Sequence, residues 1–218
     1  MMRKTTLAGL AICAAMQPTT VAAEAGDWLI RARAIMIAPN EDAGPVSPTF
    51  PGGSVSVDNA VMPEIDFTYF ITNHIGAELI LATTNHDISG EGDLVGLGEI
   101  ADTWVLPPTL TLQYHFLPEN NIRPYVGAGI NWTIFYGEDS KDSLNDAIGQ
   151  TSVDLDNSFG WALQAGVDID VTDTFFFNAD IKYIDIDTTA TLNTGGAINT
   201  VDVDLDPFVF GIGFGVRF

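Results

Sequence analysis

The sequence predicts an all-β fold, an eight-stranded antiparallel transmembrane β-barrel with short periplasmic turns and long extracellular loops, on three observations. Apolar residues recur at every second position in segment after segment, the period of a strand with one greasy face. The connections between these segments alternate between tight turns and long polar loops. Beyond the N-terminus no stretch approaches the ~18 consecutive apolar residues of a membrane-crossing helix.

Eight segments carry the pattern, roughly 27–38, 61–71, 74–84, 104–117, 122–136, 158–171, 174–187 and 201–218. In the sixth, Phe159, Trp161, Leu163, Ala165, Val167, Ile169 and Val171 alternate with Gly160, Ala162, Gln164, Gly166, Asp168 and Asp170. The last repeats it with Phe208, Phe210, Ile212, Phe214, Val216 and Phe218. Thr72-Asn73, Pro118 to Asn121 and Thr172-Asp173 are tight connections. Segments 39–60, 85–103, 137–157 and 188–200 are long and rich in Gly, Asp, Asn and Ser, and 139–148 reads as a short helix within the third. A soluble sandwich has no reason to sort short turns to one end and long loops to the other, whereas an outer-membrane barrel does so regularly. An open sheet would leave two rows of backbone groups unpaired in hydrocarbon, each costing several kcal/mol, so strand one should pair with strand eight.

Composition narrows the class further. The chain has 218 residues with 29 acidic and 8 basic ones, a formal charge of −21, yet 46% of it is hydrophobic. That is enough apolar surface to exclude an acidic disordered chain, and a polyanion without a basic cluster is not expected to bind nucleic acid. Residues 1–23 read as a signal peptide: a basic start at Arg3-Lys4, an apolar run from Leu7 to Met16 and a small-residue cleavage site at Val21-Ala22-Ala23. A lipoprotein box at Leu10-Ala11-Ile12-Cys13 is the alternative, although Ile is a poor residue before an acylated Cys. Cys13 is the single cysteine, so residues 24–218, one expected barrel domain, hold no disulfide or thiolate metal site.

Strand parity then orients the charges. With the large apolar face outward, Leu29, Arg31, Arg33, Ile35 and Ile37 point inward, as do Arg123, Lys182 and Arg217. Five of the six bases after residue 23 thus avoid lipid, Lys141 in a loop being the sixth. The opposite register would cost up to roughly 2–4 kcal/mol per base at mid-depth. Asp66, Glu78, Asp168, Asp170 and Asp180 share the inward parity, with Gln113, His115 and Tyr125. These residues are expected to form a charged plug in the lower lumen, since so narrow a barrel has little interior beyond its own side chains. Toward the outer end the inward positions turn apolar or small: Ile35, Ile37, Ile80, Ala82, Pro107, Ile184, Ile186, Leu205 and Val209. They suggest a greasy channel above the plug, suited to small apolar molecules; ordinary packing of a narrow barrel is the other reading of the same pattern.

Several segments together resemble the OmpW family of bacterial outer-membrane proteins. They are Glu24-Ala25-Gly26, Asn73 to Leu79, Leu106-Pro107-Pro108-Thr109-Leu110, Arg123 to Asn131, Gln164 to Asp168, Asp185 to Thr189, Leu205 to Phe210, and Val216-Arg217-Phe218. The resemblance implies an eight-stranded barrel in the outer membrane of a Gram-negative bacterium, with an apolar channel for small hydrophobic molecules and lateral release into the membrane. Phe214, Val216 and Phe218 also resemble the C-terminal signal read by the barrel-assembly machinery. Asp180 and Lys182 depart from the family's generally more apolar lumen on that strand.

Other chemistry is weaker. Asp202, Asp204 and Asp206 alternate along one strand near Asp185, Asp187, Asp154 and Asp156, an oxygen-rich set that could hold Ca²⁺ or Mg²⁺ bridging to lipopolysaccharide, or form a solvated strand end. His74, His86 and His115 have no metal-site spacing, and Ser89, His86 and Asp87 are neighbours without the geometry of a triad. No catalysis and no cofactor is expected. A structural or surface-interaction barrel contacting lipopolysaccharide, phage or host surfaces is the alternative to a channel, and a soluble periplasmic ligand-binding barrel a third class. Outer-membrane lipids are expected around the apolar face in the first two cases.

Overall fold

The computed structural model describes residues 23–218, so the expected signal peptide, apart from Ala23, lies outside the described residues. The strands in chain order are β1 (Trp28–Ala38), β2 (Asp42–Ala43), β3 (Gly53–Val57), β4 (Ala60–Phe70), β5 (Ile75–Ala82), β6 (Thr84–Gly92), β7 (Glu99–Leu106), β8 (Thr109–His115), β9 (Ile122–Ser140), β10 (Thr151–Leu155), β11 (Ser158–Asp170), β12 (Phe175–Ile184), β13 (Asp187–Thr194), β14 (Ala197–Asp204) and β15 (Phe208–Arg217). Helix α1 (Asp142–Ile148) lies between β9 and β10.

Eight of these strands close into an antiparallel barrel in the order β11, β12, β15, β1, β4, β5, β8, β9, with β9 pairing back onto β11. The first barrel strand zips onto the last from Leu29 opposite Arg217 to Ala38 opposite Phe208, and Trp28 and Phe218 exchange backbone hydrogen bonds at 3.1 and 2.9 Å. Closure leaves no edge in the hydrocarbon, the condition for a sheet to cross a membrane. At the periplasmic end, the Thr72 hydroxyl accepts from the Ile75 N–H at 3.0 Å and the Thr172 hydroxyl from the Phe175 N–H at 3.0 Å, which holds two of the tight turns.

Side chains alternate strictly through the wall. Leu79, Leu112, Val126, Leu163, Ile212 and Phe214 are exposed on the outside, whereas Glu78, Gln113, Gln164 and Arg31 are buried inside. Aromatic pairs fringe the apolar belt: Trp28 with Tyr69 and Tyr114 with Phe116 near the turns, Trp161 with Tyr183 and Tyr183 with Phe208 toward the other end. Amphipathic rings settle at such interfaces between hydrocarbon and water.

Four expected segments differ from the observed strands. Segment 104–117 is split into β7 and β8 by Pro107-Pro108, which lack the N–H a ladder needs. Segment 201–218 is split at Asp206-Pro207, where Asp206 adopts φ +37°. Segment 74–84 divides near Thr83, and 174–187 ends its barrel pairing at Ile184. The larger difference concerns the loops. Instead of irregular chain, β3, β6, β7 and upper β9 form one sheet above the barrel, and β10, β13, β14 and β2 form a second. Their inner faces meet in a second core of Val46, Val55, Ile88, Leu94, Ile100, Leu144, Leu192, Val201 and Val203. Much of the Gly and Asp content that reads as loop lies at hairpin tips and on outer faces, where β propensity yields to burial on the opposite face, while Gly53 and Gly90 are buried against Leu94.

Candidate functional site

Three layers fill the barrel from the periplasmic end outward. The lowest is an apolar cap of Ala23, Leu29, Phe70 and Phe176, beneath which the chain enters and leaves the wall. Phe70 and Phe176 share inward parity with the named charges, yet aromatic residues read as lipid-facing by default and the sequence reading passed over them.

The middle layer is ionic. Arg31 donates to both oxygens of Asp168, through Nε at 3.2 Å and Nη2 at 3.0 Å, and through Nη1 to Asp66 Oδ1 at 2.9 Å and Thr68 at 2.8 Å. Its guanidinium sits between the rings of Tyr125 and Phe176, 5.3 and 5.6 Å from their centroids. Arg33, two residues on and so on the same face, contacts Glu64 at 2.7 Å, Asp66 at 2.7 Å and Asp180 at 3.0 Å. Lys182 reaches Glu64 at 3.0 Å and Asp180 at 2.7 Å. Glu78 accepts from Thr111 at 3.0 Å and Gln164 at 2.6 Å. Asn178 links the tiers, donating to Asp168 and the Tyr125 hydroxyl and accepting from Arg33. Level with the cap, where Asp170 lies across from Phe176 and Arg217 across from Leu29, Asp170 pairs with Arg123 and with Arg217. Arg31, Arg33, Asp66, Glu78, Asp168, Asp180 and Lys182 thus form one connected group with Glu64, whereas Arg123, Asp170 and Arg217 form a second, with the Phe176 ring against both Arg31 and Arg123.

Such a layer costs much desolvation, and its members persist because each charge meets several partners of opposite sign. Glu64, which sequence reasoning did not single out, holds Arg33 and Lys182 together. The signal was available, since Glu64 lies two residues before Asp66 and two is the strand period. Gln113 and His115 are buried at the lower end, where the His115 ring stacks on Tyr125 at 5.1 Å.

Above Glu64 and Lys182 the lumen opens into an apolar cavity of about 100 Å³. Ile35, Ile37, Ile80, Ala82, Pro107, Ile184, Ile186, Leu205 and Val209 all line it. It does not stop at the barrel rim. Val55, Ile88, Ile100, Val153, Leu155, Leu192, Val201 and Val203 from the two upper sheets continue the apolar wall, so the chamber is about as much a product of the loops as of the barrel. His86 and Thr103, opposite each other on β6 and β7, are among the polar groups in that upper wall.

The remaining candidates lie outside the lumen. Asp202 and Asp204 are exposed on β14, whereas Asp206, beyond the end of that strand, lies against the outward-facing Tyr183 of β12, accepting from the Tyr183 hydroxyl at 2.8 Å and the Ile186 N–H at 3.2 Å. The carboxylates that converge are those of Asp185, Asp187 and Asp206, a set broken out of period two by the Asp206 kink. Phe214 and Phe218 are exposed on the outer surface near the closing seam, with Val216 between them half-buried. His74 stands in a turn beside Tyr114.

Known proteins match this geometry closely. The OmpW family profile matches residues 24–218. Outer membrane protein W of Escherichia coli (strain K12) is 38% identical over 100% of both chains. The crystal structure of the outer membrane protein OprG from Pseudomonas aeruginosa superposes with a TM-score of 0.84 at 32% identity, covering 90% of this chain and 98% of that one. A further Pseudomonas aeruginosa relative, 30% identical over 77% of this chain and 76% of its own length, bears the name dibenzothiophene metabolism operon protein PahQ. With a closed eight-stranded barrel, an outward apolar belt and a match across all of residues 24–218, the chain belongs to the OmpW family of outer-membrane barrel proteins.

Proposed function

We propose that the protein is an outer-membrane channel for small hydrophobic molecules, which enter the apolar chamber from outside and leave sideways into the membrane. The observation that carries this reading is the chamber itself, walled by hydrocarbon over its length and floored by the charged layer. An apolar solute gains by leaving water for such walls and has no reason to continue through a tier of ion pairs. Lateral exit is supported by the wall near Pro107 and Pro108. There β5 ends at Ala82, β8 begins at Thr109, and two prolines contribute no ladder N–H beside the cavity. The name of the relative from a dibenzothiophene operon points to the same class of solute.

Uptake of small apolar fluorophores by proteoliposomes tests the proposal. Val209→Trp, which places an indole in the chamber, is expected to abolish uptake while the barrel still folds. Wild-type uptake no faster than that of protein-free vesicles would refute it.

The outer face of the β10–β13–β14–β2 sheet favours a second role in surface interaction, because Asp154, Asp202 and Asp204 stand exposed on it. Deleting 137–157 does not separate the two roles, since that segment supplies Leu144 to the upper core and Val153 and Leu155 to the chamber wall. Neutralising Asp154, Asp202 and Asp204 to Asn does: binding to lipopolysaccharide or to cells should fall while apolar uptake persists. Recognition of Phe214, Val216 and Phe218 by the assembly machinery belongs to this same reading of the chain as an outer-membrane barrel.

A further inference from the structure

Glu64 and Lys182 are the charged residues in the chamber lining, and they lie at its floor. We infer that they form a head-group site, so that the compounds the chamber takes best are single-chain molecules ending in an uncharged hydrogen-donating group, primary alcohols above all. The inference rests on the channel reading and names its substrate class.

The floor is unevenly satisfied. Glu64 Oε1 lies 2.7 Å from Arg33 Nε in an ion pair and accepts from Lys182 Nζ at 3.0 Å, whereas Oε2 has the longer 3.3 Å contact with Lys182. A carboxylate oxygen accommodates two hydrogen bonds, so Oε2 retains capacity to accept. Lys182 Nζ has three protons and serves two carboxylates, Glu64 and Asp180. A hydroxyl arriving at the end of an alkyl chain can therefore donate to Glu64 and accept from Lys182, while the chain lies along Ile35 and Ile184 above.

Other ends fit less well. An alkane leaves both valences unused, and an ether can accept but not donate. A carboxylate meets the ion-pair group to which Glu64 belongs, in which five carboxylates face three cations, Arg31, Arg33 and Lys182, and so enters a field of its own sign at low dielectric.

The test is titration of the whole protein in lipid nanodiscs with octan-1-ol, methyl octyl ether, octane and octanoate at neutral pH. The readouts are the methyl NMR signals of Ile35 and Ile184 for chamber occupancy and the ε-methylene of Lys182 for head contact. Octan-1-ol should bind on the order of tenfold more tightly than the ether, as one hydrogen bond to a charged group provides, and should alone shift Lys182 strongly. Octanoate should bind weakest. In Glu64→Gln the alcohol's advantage over the ether should shrink several-fold; the wild-type series decides the matter if that variant does not fold. Equal affinities for all four compounds, or octanoate binding best, would overturn the head-group site. If no compound moves Ile35 or Ile184, the channel reading itself fails.

Discussion

Arg31 and Asp168, separated by 137 residues in the chain, clasp each other across the lumen through two parallel hydrogen bonds of 3.2 and 3.0 Å. Both side chains are sealed from solvent. This pairing ties β1 to β11, strands that are not neighbours in the wall, and so braces the barrel across its interior.

Removing one partner strands the other. Arg31→Met should destabilise the barrel by about 3–5 kcal/mol, because Asp168, Asp66 and Glu78 are left buried with less compensation. Asp168→Asn alone should cost less, and the two changes together should be clearly sub-additive. Urea unfolding in lipid vesicles measures all three; strict additivity would mean the clasp contributes no coupling.

Space on the lumen face is as tightly allotted as charge. A Cβ added at Gly215 would collide with the Phe176 ring, and one at Gly166 with the Tyr125 ring. Gly215→Ala is expected to destabilise by about 1–3 kcal/mol through overpacking. Phe176→Leu in the same chain should recover part of that loss, although each change is harmful singly. A double-mutant cycle without such rescue would show that Gly215 serves some purpose other than room for the ring.

Above the membrane, pH should act through His86. Burial lowers its affinity for a proton below the ordinary value of 6.5, against the pull of the Asp58 carbonyl and the Asp87 and Asp58 charges. The unfolded chain therefore takes up the proton first as pH falls. Its contribution to stability is full above about pH 6.5 and declines below it, toward the lower value of the folded state. His86→Leu should flatten the difference in unfolding midpoint between pH 7.5 and pH 5.0 relative to wild type. An unchanged difference would assign that slope to other groups.

Asp187 should act in the opposite sense. It sits directly across from Asp204 in the β13–β14 ladder, and burial together with the Asp204, Asp185 and Asp206 charges raises its proton affinity. A group held above its ordinary value adds stability that is lost as pH rises through the folded-state value, so at neutral pH this corner is under repulsion. Asp204→Asn is expected to stabilise the upper sheets by about a few tenths of a kcal/mol, the scale of one cross-strand pair at an exposed position. Hydrogen exchange of β13 amides would register it as slower opening; faster opening would mean that Asp204 holds a favourable contact.

The sequence by itself determined the barrel: its closure, its strand order and the parity that puts Arg31, Arg33, Lys182 and Arg217 inside. Period two together with the penalty for charge in lipid leaves one register, and both can be read locally. Only the tertiary structure decided what lies above the membrane and which charges meet. The segments 85–103 and 188–200 look like loops because hairpin tips and solvent-facing Asp and Gly dominate their composition, while Ile88, Ile100 and Leu192 become a core only when two sheets face each other. Glu64 likewise gains its place from partners 31 and 118 residues away, Arg33 and Lys182. Contacts between residues distant in the chain depend on how the cylinder closes around them, and an alternation pattern carries the side on which a residue lies without carrying the neighbour it finds there.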